Sequence, residues 1–390
     1  MSLRADVTEV VPASKPKRKH HVWLIIIIVL LAIILAAGIG LYVFVRTLGI
    51  TFVDIEDANK GGGSDIYAGL DEEHYEEYHG IITAMQGNAG LSDLLRGWYQ
   101  NKGDLMSSRN ILNILIIGID ATGNEPMVGN SDAMMLASIN KEKKTITLCS
   151  FLRDSYTYFE VDGAGRFSKL NAAYAEGGAK ALIDAIENNY KLKIDYFAAV
   201  DFDAFIDVID AIGGINLTVT QMEAEAIMDY AKITGVPYGE NVHLTGEQAL
   251  YFARMRKIYT TGDVQRTENQ RRVINAVIQK AKANLSLTNL TKVVKTLAPH
   301  VYTNCSATRL ITLGGNAVLG QWYNYQVRSM VAPPESARAE PLDGENWWVW
   351  IVDYPFAAQY VQKEIFGETN IVIPDGTESA IDIYEANGGF

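Results

Sequence analysis

Asp120 and Asp132 stand twelve positions apart, the first closing the apolar run Asn113-Ile-Leu-Ile-Ile-Gly-Ile-Asp120 and the second opening Asp132-Ala-Met-Met-Leu-Ala-Ser138. An arginine-rich set follows: Arg153-Asp154, then Arg254-Met-Arg256, then Asp263-Val-Gln-Arg266 with Gln270. Carboxylates suit a hard divalent cation and guanidinium forks suit phosphate oxygens. The combination describes a site for a metal-bound phosphate or pyrophosphate.

Other chemistries lack their motifs. The chain has no G-x-S-x-G elbow, no G-x-x-x-x-G-K loop and no G-x-G-x-x-G after a strand, so covalent serine catalysis and nucleotide-driven phosphoryl transfer find no support. Six scattered histidines and two cysteines offer no zinc-ligand spacing. Cys149 falls inside an apolar segment and reads as a small core residue. What remains is metal-assisted attack at phosphorus, which needs charge neutralised on non-bridging oxygens and an acceptor held in line.

The elements that must position these residues can be read from hydrophobic period. Ile111 to Ile119, Ala133 to Ile139 and Lys144 to Phe151 are three apolar runs of strand length, the last entered through the polar turn Asn140-Lys-Glu-Lys143. Running up, down and up, they would bring Asp120, Asp132 and Arg153 to one sheet edge; any one of them taken alone reads more readily as a solvated loop charge after a strand, and it is the three at one edge that favour a site. Ala179 to Tyr190 reads as a helix, Ile194 to Phe202 as a strand, Ala204 to Ala211 as a helix ended by Gly213-Gly214, and Ile215 to Val219 as a strand. This alternation indicates an α/β layered sheet. Thr245-Gly-Glu-Gln248 is a capping box for the helix leading to Arg254. Asp263 precedes a long helix on which Arg266 and Gln270, four apart, share a face.

With 390 residues, 48% of them hydrophobic, the chain can bury one large core. A net charge of -12 argues against nucleic acid as a partner. Val22 to Val45 holds no Asp, Glu, Lys or Arg. At ~1.5 Å per residue it is long enough to cross a ~30 Å hydrocarbon core as a transmembrane helix. Lys15, Lys17, Arg18 and Lys19 precede it and an acidic segment follows Arg46, which places the N-terminus in the cytoplasm and the rest outside a cell membrane crossed once. Ala36-Ala37-Gly38 resembles a signal-peptide cleavage site, but the apolar run exceeds the usual ~7–15 residues of a secretory signal, which favours an uncleaved anchor.

The expected organisation is a basic cytoplasmic tail (1–21), the anchor (22–45), a membrane-proximal stalk or platform (46–108), a catalytic α/β domain (109–282) and a C-terminal part or extension (283–390). In the last, Trp347-Trp-Val-Trp-Ile-Val352 reads as a buried strand rather than an exposed sugar platform, followed by a helix from Ala357 to Ile365.

From Asn110 to Lys282 these residues resemble the LytR-CpsA-Psr proteins of bacterial envelopes. The likeness is carried by the segments around Asp120 and Asp132 and by Ser150-Phe-Leu-Arg153-Asp154, Ser168-Lys169-Leu-Asn171-Ala-Ala-Tyr174, Asp201-Phe-Asp-Ala-Phe205, Gly213-Gly214, Leu244-Thr-Gly-Glu-Gln-Ala-Leu250, Ala253-Arg-Met-Arg256 and Asp263-Val-Gln-Arg266. The resemblance implies a three-layer α/β/α domain with a central mixed sheet, and transfer of a glycopolymer such as wall teichoic acid or capsule from a polyprenyl-pyrophosphate carrier to peptidoglycan. It implies Asp120 and Asp132 as ligands of Mg²⁺ or Mn²⁺, and Arg153, Lys169, Arg254, Arg256, Arg266 and Gln270 as a pyrophosphate clamp. Asp154 and Asp263 correspond to acidic residues that hold arginines or accept a proton. The family's usual arginines are replaced by Asn130 and Asn269, and Arg271 and Lys169 are the candidates to restore that charge. An apolar tunnel for the lipid would be walled by Phe197, Phe202, Phe205, Ile206 and Ile209, unless these are ordinary core. Two other functions stay open: a hydrolase acting on the same carrier-linked glycan, and a non-catalytic lipid-binding regulatory protein of the membrane. The roughly twenty residues before the anchor are too few for a helix-turn-helix.

Overall fold

The computed structural model describes residues 40–58, 83, 85, 87–121, 129–260, 263–283, 294–296, 298–339, 342–344 and 347–386. The chain enters a seven-stranded sheet at one edge through β1 (Thr51–Phe52), then lays down helix α1 (Ala89–Gln100), which Asn88 caps by accepting from Leu91 N at 3.1 Å. The meander β2 (Ile111–Ala121), β3 (Gly129–Asn140) and β4 (Thr145–Phe151) follows, each strand antiparallel to the last. Asn140 closes its second turn, with Oδ1 accepting from Glu142 N at 3.1 Å and Lys143 N at 2.8 Å. The hairpin β5 (Tyr156–Val161) and β6 (Ala164–Lys169) leads to α2 (Ala172–Tyr190), whose backbone breaks at Gly177 and Gly178, the latter at φ +66°.

Next come β7 (Tyr196–Asp201), α3 (Phe202–Ala211), β8 (Ile215–Val219), α4 (Gln221–Ala231), β9 (Gly239–Leu244), α5 (Gly246–Arg254) and α6 (Asp263–Ala283). Then β10 (Tyr302–Thr303), α7 (Ala307–Leu319), β11 (Gln326–Ala332), the small hairpin β12 (Leu342–Gly344) and β13 (Trp347–Val349), α8 (Tyr354–Phe366) and α9 (Ala380–Ala386) complete the described order. The sheet reads β1-β10-β7-β2-β3-β4-β11 and is mixed, with β7 parallel to β2 and β11 parallel to β4. This is the expected α/β architecture with a central mixed sheet.

Helices cover both faces. On one, Leu115, Ile117, Ile119, Leu136, Cys149, Phe151 and Phe197 pack with α1, α2 and α8 in the main core. On the other, α3 to α6 and the β8–β9 hairpin build a second core around Ile215, Val219, Ile227, Leu244, Phe252 and Val273. α7 covers the end of that face through Leu313, against Leu112, Ile139 and Tyr325. Layers on both faces, one fully burying and one partly covering β2, explain why it shows little alternation in sequence.

Several expectations change. The stretch expected to be a membrane-proximal stalk or platform includes α1, whose Leu91, Leu95 and Tyr99 are fully buried in the main core, and β1, which pairs with β10. An amphipathic helix with an apolar stripe finds its burial against the nearest open core, here that of the domain itself. Arg109 is therefore no boundary of the core. Phe197, a candidate tunnel wall, points into the main core at 0% exposure, and Ile209 is buried among the second core's residues. The tryptophan segment is strand only to Val349; Val349 to Val352 are buried. The expected anchor, 22–45, lies outside the described residues except for 40–45, which belong to a helix over residues 40–46; no described helix is long and apolar enough to cross a membrane.

Candidate functional site

The meander does carry Asp120, Asp132 and Arg153 to one edge. Asp120 pairs in register with Asn130 near the end of β2. Between Ile119↔Ser131 and Gly118↔Ala133 the register shifts, leaving Asp132 as the extra residue of a β-bulge. A bulge re-aims a side chain that the two-residue period would otherwise fix, and here it turns Asp132 toward the arginines. Arg153 follows β4 by two residues and donates from Nη1 to Asp132 Oδ1 at 2.5 Å. Its Nε lies 3.5 Å from Asp154 Oδ2.

From the other layer, α5 ends at Arg254, whose Nη2 is 3.0 Å from Asp120 Oδ2 and whose guanidinium carbon sits 4.4 Å from the centroid of the Phe202 ring. α5 is placed by its capping box, with Thr245 and Gln248 each accepting from the other's backbone N–H, and by Gly246, where any Cβ would strike the Ile206 backbone. On α6, Arg266 lies 3.9 Å from Asp132 Oδ1, and Gln270 donates to the Asp132 carbonyl at 3.3 Å. The shared helical face read from sequence thus converges on one residue. Lys169, at the end of β6, donates to Asp154 Oδ1 at 2.9 Å, and both are buried.

Electrostatics separate the three carboxylates. Burial raises the Asp120 carboxyl above its ordinary value; Arg254 offsets part of this and the charge of Asp132 adds to it. Burial works against ionised Asp132 too, but Arg153, Arg266 and Arg254 outweigh it and hold its carboxyl below the ordinary value. Asp154 is held lower still: burial opposes its charge, and Lys169, then Arg153 and Arg266, overcome that. Such a carboxylate is a weak proton acceptor. Its geometry fits the role of holding Arg153 and Lys169.

The remaining candidates are less tightly gathered. Arg256 is exposed two residues past Arg254, and no ion pair ties it to the aspartates among the described residues. Asp263 opens α6, and its side chain lies outside the described residues. Asn269 does not face the site. It is 0% exposed and donates to the Phe252 carbonyl at 3.3 Å and to the Tyr259 hydroxyl at 3.1 Å. Arg271 turns to Thr267 Oγ1 at 3.3 Å and to Glu268, which does not restore the missing charge. Sequence reading missed this network around Asn269, in which Arg272 and Tyr259 both bond Glu223 Oε1, at 2.9 Å and 2.7 Å. It also missed Phe202 as the platform for Arg254; an aromatic directly after a strand-ending aspartate was the available signal.

Among the described residues no group of three or more His, Cys, Asp or Glu side chains is placed to hold a metal ion. Asp120 and Asp132 do fit Mg²⁺ as it is met with phosphate substrates, where one or two carboxylates suffice and phosphate oxygens and waters complete the octahedron. The two sense each other's charge, and a shared divalent cation would relieve that repulsion.

Comparison with known proteins identifies the family and fold. A sequence model of the LytR_cpsA_psr family matches residues 84–348. The polyisoprenyl-teichoic acid–peptidoglycan teichoic acid transferase TagV of Bacillus subtilis is 31% identical over 245 residues, covering 61% of this chain and 61% of TagV, less than two thirds of that relative's length. TagU of Bacillus anthracis, named for the same activity, is 33% identical over 216 residues, 55% of this chain and 68% of TagU. The crystal structure of protein gbs0355 from Streptococcus agalactiae superposes with a TM-score of 0.59 at 26% identity, over 72% of this chain and 95% of that one. With the family match extending from ahead of α1 to the β13 strand and so over every site residue named above, this chain belongs to the LytR_cpsA_psr family.

Proposed function

We propose that this protein is a membrane-anchored, outward-facing transferase that moves a glycopolymer from a polyprenyl-pyrophosphate carrier to peptidoglycan, assisted by Mg²⁺ or Mn²⁺. The observation that carries the reading is the convergence of Arg153, Arg254 and Arg266 on Asp120 and Asp132 at one sheet edge. With Asp154 and Lys169 included, the cluster has one cation in excess before any metal is counted. Such a site suits a diphosphate. TagV and TagU are named as transferases of a polyisoprenyl-linked teichoic acid to peptidoglycan, which supports the donor and acceptor classes.

The groups divide the work. A divalent cation held by Asp120 and Asp132 would supply charge neutralisation on the diphosphate's non-bridging oxygens. Arg153 and Arg254 have forks that can transfer from carboxylate to phosphate oxygens as the donor enters, and Asp154 keeps Arg153 aimed. The acceptor hydroxyl oxygen then forms a bond to the glycan-bearing phosphorus. The bond from that phosphorus to the bridging oxygen breaks, polyprenyl phosphate leaves, and the hydroxyl proton passes to solvent or to a site carboxylate.

A place for the lipid is compatible with the layers. Ile114, Ile116, Ala137, Ala198 and Val200 lie on the sheet face opposite the main core and are only half-buried although apolar and mid-sheet. Phe202, Phe205 and Ile206, half-buried in α3, come from the layer above. An apolar tail between the two would complete their burial.

The test incubates the purified full-length protein with labelled polyprenyl-pyrophosphate glycan and peptidoglycan, with Mg²⁺ or with EDTA. Label joining peptidoglycan only with metal, with release of polyprenyl phosphate, is the expected result. Equal release without peptidoglycan would make the protein a pyrophosphohydrolase, and binding without turnover a lipid-binding regulator.

A further inference from the structure

Where the chain enters the domain fixes which edge of the sheet lies nearest the anchor. Thr51, Tyr302, Ala199 and Ile117 form one row across β1, β10, β7 and β2. β2 runs from that row toward Asp120, three residues on. β1 and β10 run the opposite way, so Leu48, three residues before Thr51, extends to the same side as Asp120. At ~3.3 Å per residue Asp120 lies about 10 Å beyond the row, and three strand spacings of ~4.8 Å separate β1 from β2 by roughly 14 Å.

Contacts agree with the register. His300, two residues before Tyr302, has Nδ1 3.9 Å from Asp201 Oδ1, and Asp201 is the register partner of Ile119 beside Asp120. A Cβ at Gly49 would sit 3.3 Å from Pro299 Cα, so the entering chain packs on the segment that carries His300. The helix over 40–46 does not stand off from the domain: Val45 and Leu48 are buried with Ala298 and Ala307, and Phe44, Ile50 and Ile311 pack beside them. Leu41, Tyr42 and Val43, earlier in the same helix, are exposed at 45%, 43% and 52%, and Val294, four residues before Ala298, at 42%. Arg46 lies 5.8 Å from the Phe52 ring centroid and Lys295 5.9 Å from that of Phe44. Outward apolar and aromatic side chains bordered by cations are what a helix presents where it leaves a bilayer at headgroup level. The charge-free run that ends at Val45 is continuous with it.

We propose that the sheet edge bearing Asp120, Asp132 and Arg153, with Arg254 of α5 beside it, faces the bilayer, with the domain resting on the headgroups and the lipid surface as the partner of that face. This rests on the transmembrane reading of residues 22–45. With the last turn of the anchor packed on the domain, there is no length of chain between them to act as a spacer. A diphosphate joined to a lipid tail lies at headgroup level, so this orientation lets the arginines reach it while its tail stays in apolar surroundings. The opposite edge, with the turn at residues 141–144, is carried farthest from the membrane.

The test uses the full-length protein in phosphatidylcholine vesicles that contain a headgroup spin-labelled lipid. A fluorophore is attached to Asp203→Cys, exposed in the first turn of α3 at the site edge, or to Glu142→Cys, exposed in the turn at the other edge. Both native cysteines are buried, so labelling is confined to the introduced thiol. Loss of fluorescence at 203 with none at 142 is the expected result. Equal or reversed loss, in protein that resists carbonate extraction, overturns the orientation and leaves the anchor standing. Extraction by carbonate overturns the anchor and the orientation together.

Discussion

Arg254 reaches Asp120 at 3.0 Å while its guanidinium lies over the ring of Phe202, so one planar group is fixed by a carboxylate and an aromatic at once. The arginine is partly exposed on its remaining side, where a phosphate can approach. A charged hydrogen bond contributes roughly 1.5–3 kcal/mol, so Arg254→Ala is expected to slow transfer by about ten- to a hundredfold. Arg254→Lys keeps the charge and loses the fork and the flat stacking surface, and should stay impaired. Transfer rates and donor Kd measured for both variants check this; wild-type values in both would make Arg254 a structural residue.

Asp132 is the point on which Arg153, Arg266 and the amide of Gln270 converge, the first two through its carboxylate. Asp132→Asn preserves shape and removes the charge. Metal-dependent transfer is expected to be lost while circular dichroism shows the folded state and thermal unfolding stays cooperative. Loss of one partner of a largely buried ion pair costs up to about 3–5 kcal/mol, so a lowered Tm is part of the expectation. Full activity with metal still bound would remove Asp132 from the site.

Asn269 joins the Phe252 carbonyl, two residues before Arg254, to the Tyr259 hydroxyl in the loop after Arg256. It is expected to act on the site through those segments, as a positioning residue. Asn269→Ala removes hydrogen bonds worth about 0.5–1.5 kcal/mol each, which corresponds to a roughly two- to tenfold slower transfer. If the effect runs through Arg254, combining it with Arg254→Ala adds little further loss of rate, whereas the two losses in Tm add. Fully additive rate losses would count against the positioning role.

Asp353 offers a pH dependence in which none of the metal-ligand candidates takes part. Burial, with the charge of Asp382 adding to it, pushes its carboxyl up to about 6, although the nearby Ser379 hydroxyl and Phe356 N–H pull the other way. The folded protein therefore keeps a proton that the unfolded chain releases from about pH 4 upward, and stability from this group, full below pH 4, is lost as pH rises through 6. Solvent screening reduces the effect to on the order of 1 kcal/mol. Urea unfolding of wild type and Asp353→Asn at about pH 4 and about pH 6 should show a smaller decline in the variant; parallel profiles would refute the assignment.

The sheet edge was legible in sequence because the three strands of the meander are local, bounded by clear turns, and carry their charges at their ends. The capping box at Thr245 and the Arg266–Gln270 face were legible for the same reason, since each depends on spacings of three or four residues. The placement of α1 and of β1, β10 and β11 was not. Those elements pair across the length of the chain, and nothing in the sequence of Thr51–Phe52 or Gln326–Ala332 states which strand each will meet. The bulge at Asp132 was also invisible, because an inserted residue shows only against its partner strand. Asn269 read as a lost arginine of the site, when its side chain serves the packing between α5 and α6.

The Lys169–Asp154–Arg153 chain has a consequence for how a substrate is met. An arginine free in solvent must surrender several rotatable bonds each time it grips an anion, and weak, short-lived binding results. Here the buried Asp154, braced by the equally buried Lys169, has removed that freedom from Arg153 when the protein folds. Selection on Lys169 would then act on how long the donor stays bound, although the lysine need never touch it.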